Sequence, residues 1–185
     1  MKESASTIVA LFAAAILLFI IPLVTLTERN DNVTEEKVKL IVEEFVTELQ
    51  NTGKLTRARY QEFQNELDAT GNTYEIEMEF KYLDENPGEK TVQANYTKIG
   101  DNVYYSEYTT QILKRIGIKV DNDEVNSSDK TIILKEGDFV YVGVKNENST
   151  AAQNLKSSIF SFSNAGEYVI SANSSGMVTA NGLQQ

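Results

Sequence analysis

No cysteine, no histidine and no tryptophan occur among the 185 residues. Their absence excludes disulfide frameworks, thiolate or imidazole metal sites, Cys or His nucleophile and base pairs, and the usual Ser-His-Asp triad. Positive charge is also in short supply. Seventeen Lys and Arg stand against twenty-seven acids, for a net charge of −10 and a pI near 4.6, which argues against a surface that condenses on nucleic acid or on anionic lipid head groups. The length suits one folded domain plus an appendage. What remains is segregation, with an apolar start followed by a polar, acidic remainder.

From Ile8 to Leu26 the chain reads IVALFAAAILLFIIPLVTL, without a charge and with only Pro22 and Thr25 interrupting its apolar character. As a helix this run spans about 28 Å, close to the hydrocarbon thickness of a bilayer. A secretory signal peptide has a shorter apolar core followed by a small-x-small cleavage site. Here Val24-Thr25-Leu26 and Leu26-Thr27-Glu28 offer no such site, and Ala13-Ala14-Ala15 lies inside the run. The segment is therefore expected to be retained as an anchor. A soluble core helix would carry polar residues on some face. The expected organisation is a cytoplasmic leader over residues 1–7, a transmembrane helix over 8–27 and an extracytoplasmic domain over 28–185. Lys2 and Arg29 nearly balance in the positive-inside count, so the N-in orientation rests on the short leader and the large acidic domain.

Residues 34–51 place Val38, Ile41, Val42, Phe45, Val46 and Leu49 on one helical stripe. Thr34 can cap this helix, Glu35 and Glu36 complement its dipole, and Gly53 follows as a stop. The intervening TERNDNV contains neither Gly nor Pro, so it either stays helical or breaks at Asn30-Asp31-Asn32. A second helix is expected at residues 56–68, with Thr56 as cap, Tyr60, Phe63 and Leu67 on one face and Gly71 as terminator. Residues 72–83 then alternate with period two, setting Tyr74, Ile76, Met78, Phe80 and Tyr82 against Glu75, Glu77, Glu79 and Lys81.

Further on, Asp84 to Gly88 reads as a turn and residues 90–97 as a returning strand. Tyr105, Tyr108, Ile112 and Ile116 recur at helical spacing before Gly117. Residues 130–135 and 139–145 read as a hairpin about Glu136-Gly137-Asp138, 149–162 as a helix with Leu155 and Ile159 inward, and 167–172 with 177–179 as one or two last strands. The fold class is thus α+β, with a long N-terminal helix, transmembrane and then amphipathic, packed on a mainly antiparallel sheet.

Candidate chemistry is thin. Asp121, Asp123 and Asp129 fail the calcium-loop pattern, which wants an oxygen ligand, a Gly and a Glu where Val125, Asn126 and Ile132 stand. Glu75, Glu77 and Glu79 share one wet face of one strand, with no apolar pocket indicated to raise a pKa. Ser157 and Lys156 are neighbours on a helix and so do not face each other. No catalytic residue, cofactor site or metal site is expected. Asn32, Asn95, Asn126, Asn148 and Asn173 head N-x-S/T triplets, in a chain that holds sixteen Asn. Tyr104, Tyr105 and Tyr108 form a cluster that could belong to a contact surface.

An apolar span near the N-terminus, running into an amphipathic helix and an antiparallel sheet, resembles the plan of type IV pilins and pseudopilins. Asp31-Asn32-Val33, Val42-Glu43-Glu44-Phe45-Val46, Thr52-Gly53-Lys54-Leu55-Thr56, Tyr60-Gln61-Glu62-Phe63 and Ala69-Thr70-Gly71-Asn72-Thr73-Tyr74 resemble small membrane-anchored surface proteins of Gram-positive bacteria. Those are similar to the TadE-like pseudopilins of tight-adherence pilus and secretion machinery. The likeness covers roughly the first half of the chain. A prepilin is normally cut after a Gly preceding the apolar run, whereas no Gly precedes Gly53, and an uncut anchor fits the letters better.

The resemblance implies that Glu3 plays the part of the early pilin acid, pairing with a neighbour's free amine, and that Pro22 kinks the span. The assembly surface then comprises Glu3, Ile8, Phe12, Leu18, Pro22 and Leu26, and the docking stripe Val38, Ile41, Val42, Phe45 and Leu49. Expected partners are the lipid bilayer and other pilin-like subunits, in homo- or hetero-oligomers, and no nucleic acid. The function expected is that of a non-enzymatic, membrane-anchored pilin-like component. The competing expectation is a lone anchored ectodomain that acts as an envelope ligand-binding, sensor or adhesion module.

Overall fold

The computed structural model describes residues 2–84, 104–120, 131–159, 169–180 and 182. Helix α1 (Lys2–Thr52) is uninterrupted over 51 residues, about 76 Å at 1.5 Å per residue. Residues 27–33 remain helical, so no hinge separates the apolar half from the amphipathic half. Thr34 accordingly caps nothing; inside the helix its hydroxyl donates to the Asn30 carbonyl at 2.9 Å. The helix stops at Gly53, whose φ of +62° is the left-handed conformation that ends helices. A side chain there would meet the Leu134 carbonyl oxygen and the Gly182 amide nitrogen, each at 2.8 Å. Glycine is needed for space as well as for conformation.

Strand β1 (Lys54–Leu55) leads into α2 (Arg57–Asp68). The Thr56 hydroxyl accepts from Arg59 N at 3.2 Å, the N-cap that the sequence predicts. Tyr60, Phe63 and Leu67 are buried in the core that also holds the α1 stripe. The Phe63 ring stacks on Phe45 with 4.1 Å between centroids, and Arg59 reaches back to Glu48, Nε to Oε2, at 2.5 Å.

Four antiparallel strands form the main sheet: β2 (Tyr74–Leu83), β3 (Tyr104–Tyr108), β5 (Phe139–Asn146) and β6 (Ser171–Met177), in the order β3-β2-β5-β6. A second, two-stranded sheet pairs β1 with β4 (Ile132–Ile133). Met78, Phe80 and Tyr82 of β2 and Val140, Val142 and Val144 of β5 are buried on one face. Val38, Val42, Phe45, Val46 and Leu49 of α1 are buried in the same core, with Ile41 partly buried beside them. The docking stripe is therefore covered. By register Ala172, Ser174 and Gly176 of β6 share the inner face, and a Cβ on Gly176 would collide with the Gln50 side chain. Small residues let the helix approach this strand closely. Two further helices complete the description, α3 (Thr109–Arg115) and α4 (Ala151–Ile159).

Several expected elements come out differently. The helix expected from Tyr105 onward begins only at Thr109, because Tyr104 to Tyr108 pair with the edge of β2; three aromatics in five residues favour a strand when a partner edge is present. Ile112 and Ile116 are buried as the helical spacing requires. The expected hairpin about Gly137 keeps its turn, at φ +95°, but its two arms part: Ile132 and Ile133 join β1 while Phe139 onward joins β2 and β6. The last strand, SANSSGM, overlaps the end of the first segment expected to be extended and the start of the second, and also fills the gap between them. Its turn-like composition is dictated by the helix lying over it. The turn after Asp84, the strand at 90–97, most of the 120–129 loop and the end of the helix at 149–162 lie outside the described residues.

Candidate functional site

The candidate site is the first half of α1 and its junction with the domain. Helical sequence extends from Ser6 to Thr52, and none of its most apolar stretch is buried. Ile8, Phe12, Leu18 and Leu26 are between 58 and 70 % exposed, as are their neighbours Val9, Leu11 and Phe19 to comparable degrees. A run this apolar, exposed on every side, is long enough to cross a membrane once. Pro22 sits within the helix without ending it; lacking an N–H, it leaves the Leu18 carbonyl without its helical donor. Thr25 donates to the Ile21 carbonyl at 3.0 Å and Thr27 to that of Val24 at 2.9 Å, so both hydroxyls are satisfied by the helix itself. Glu3 lies in the first turn of α1, and its side chain is outside the described residues.

The junction is abrupt. Asp31 is only 5 % exposed, although it lies just five residues, or about 7.5 Å of helix, beyond Leu26. Its Oδ2 accepts a 2.6 Å hydrogen bond from the hydroxyl of Thr150. Thr150 in turn starts α4: its N–H donates to Gln153 Oε1 at 2.8 Å, and Gln153 N donates to its hydroxyl at 3.3 Å, a reciprocal cap. The sequence gives Asp31 as one polar residue among several, and nothing in its neighbourhood announces a partner 119 residues away.

Asp138 was likewise legible only as a turn residue, yet it is buried. Its Oδ1 accepts from Leu83 N and its Oδ2 from Lys135 N, both at 2.8 Å, which ties the turn to the end of β2. Tyr82 forms another polar knot, donating to Glu107 Oε2 at 2.9 Å while accepting from Arg115 Nη1 at 2.9 Å. Burial, and then the hydrogen bond to Glu107, push the Tyr82 hydroxyl pKa well above the ordinary phenol range.

Glu75 and Glu77 are exposed on the outer face of the sheet, beside an open depression of about 150 Å³ over Gly143 that Tyr141, Lys145 and Asn173 help to line. Glu79 accepts from Ser106 Oγ at 2.8 Å and lies 3.7 Å from Lys81 Nζ. These carboxylates sit where the alternation puts them, along one wet face. Ser157 donates to the Asn154 carbonyl at 3.0 Å, which engages its hydroxyl within its own helix. Tyr104, Tyr105 and Tyr108 are 40, 58 and 60 % exposed and line an outer strand of the described sheet. Among the N-x-S/T positions, Asn32 and Asn173 are exposed. Asn148 accepts from Thr73 N at 2.9 Å and donates to Asn72 Oδ1 at 3.1 Å, so both ends of its amide are engaged. Asn95 and Asn126 lie outside the described residues.

Comparison with known protein families, with curated proteins and with solved structures returns no match.

Proposed function

We propose that this protein is a non-enzymatic, membrane-anchored subunit of pilin-like plan, a component of a surface pilus or secretion apparatus, with its N-terminus in the cytoplasm and its folded domain outside. One observation carries this reading: a single helix is apolar on all sides at one end and docked by one stripe on a sheet at the other, with no linker between. An apolar rod end is soluble only in lipid or against other apolar rods. The same segment can therefore hold a subunit in the bilayer before assembly and line a bundle of such helices after it, with no additional site.

The test is disulfide trapping through cysteines placed at Ala10 or Ala14, both exposed on the apolar half. Cross-linked homo- or hetero-oligomers at native expression are expected if the spans pack together. Monomers alone at both positions would favour the competing reading, a lone anchored ectodomain. The exposed Tyr104, Tyr105 and Tyr108 are the observation in favour of that alternative, since solvent-facing aromatics on an outer strand suit recognition of an envelope ligand.

A further inference from the structure

Four observations converge on α4. Its first turn is pinned to α1 at Asp31 through Thr150, close to the end of the apolar run. The strand before it runs toward that end: β5 begins with Phe139 opposite Met177, next to the Gly176 that faces Gln50, and ends at Asn146 shortly before Thr150. Next, between Ser6 and Asn30 only Ile20, Val24 and Thr27 are partly buried. Their spacing of four and three residues continues to Asp31, so they lie on the same stripe of α1. Farther along, α2 meets α1 at Phe45 and Glu48 and β6 meets it at Gln50, whereas the residue that caps α4 meets it at Asp31.

Charge is the remaining observation. In a chain with twenty-seven acids, residues 148–159, which comprise α4 and the turn before it, contain none. The exposed positions of α4 include Asn154, Ser157 and Ser158, and both serine hydroxyls donate to the Asn154 carbonyl, at 3.0 and 2.7 Å. Hydroxyls already bonded to the helix lose little when bulk water is withdrawn.

We propose that α4 is a second lipid contact, seated in the outer head-group layer of a bilayer beside the last two turns of the span. Resting on the anchoring reading above, the proposal adds that the domain sits on the membrane at a fixed height and roll. The ligand is the uncharged or zwitterionic head-group zone, since an acidic protein gains nothing from anionic lipid. A helix lying in this zone exchanges water for head groups along one flank, while Asp31 and Thr150 hold its first turn against the rod.

The chain has no native cysteine, so a single introduced thiol reports one position. Full-length Ser158→Cys and Asn154→Cys, each carrying a nitroxide, are reconstituted in phosphatidylcholine vesicles. Asn65→Cys, exposed on α2, serves as the water-facing reference. Vesicle flotation is scored separately. The expected result is that the protein floats and that the α4 labels are shielded several-fold from an aqueous nickel chelate relative to position 65. Flotation with all three labels equally accessible would overturn the α4 contact while leaving the anchor intact. Failure to float would overturn the anchor and the proposal together.

Discussion

Asp31 and Thr150, 119 residues apart, share a buried hydrogen bond of 2.6 Å between carboxylate and hydroxyl. The bond locks the start of α4 to α1 at the point where the apolar rod becomes a domain scaffold. A buried carboxylate stripped of a donor retains its desolvation cost. Thr150→Ala is therefore expected to destabilise residues 28–185 by about 1–3 kcal/mol, with Asp31→Asn partly preserving the contact. Urea unfolding of the two variants measures it; wild-type midpoints in both would remove the junction from the account.

At the other end of the docked helix, Phe45 and Phe63 stack face to face with both side chains fully buried. Phe63→Ala removes the ring that joins α2 to α1 and should cost about 3–5 kcal/mol. Loss of α2 from hydrogen-exchange protection before the sheet would accompany it.

Gly53 combines a left-handed φ with backbone on several sides. Gly53→Ala adds strain of about 1–3 kcal/mol for a non-glycine residue in that conformation, and the collision with Leu134 and Gly182 comes on top. Thermal denaturation should show a larger drop for this variant than for Gly71→Ala. Gly71 also has a positive φ, but a Cβ there meets open space. Equal drops would show that crowding around Gly53 contributes nothing.

Tyr60 gives a prediction in pH. Burial pushes its hydroxyl from the ordinary 10.0 up to about 12, so the folded state holds the proton where the unfolded state has released it. The associated stability is present below pH 10 and is lost as pH rises from 10 toward about 12. Tyr60→Phe should flatten part of this alkaline decline, leaving the remainder to Tyr82. Unfolding free energies followed across that window would show parallel curves for wild type and variant if Tyr60 had no such role.

Much of this architecture is legible in the residues because it follows local periodicity. The stripe from Val38 to Leu49, the alternation from Tyr74 to Tyr82, the Thr56 cap and the Gly53 stop are each set by neighbours within a few positions. What is illegible depends on distant partners. Tyr104 to Tyr108 carries a helical spacing that a waiting strand edge overrides. Asn173 to Gly176 fall in the gap between two expected strands, and only a helix laid across them makes small side chains in a strand the requirement. Asp31 reads as part of a possible helix break and Asp138 as a turn residue, and only the folded chain supplies the Thr150, Leu83 and Lys135 donors that their buried carboxylates accept from. Of the candidate site, the exposed apolar run was fully visible in the sequence, and the buried Asp31–Thr150 bond at its junction with the domain was not.

The most direct test is the intact mass and partition of the native polypeptide recovered from the cells that make it. The account predicts a chain that still contains Ile8 to Leu26 and sediments with membranes or with fibres. A polypeptide beginning beyond residue 27 and found free in solution would contradict it.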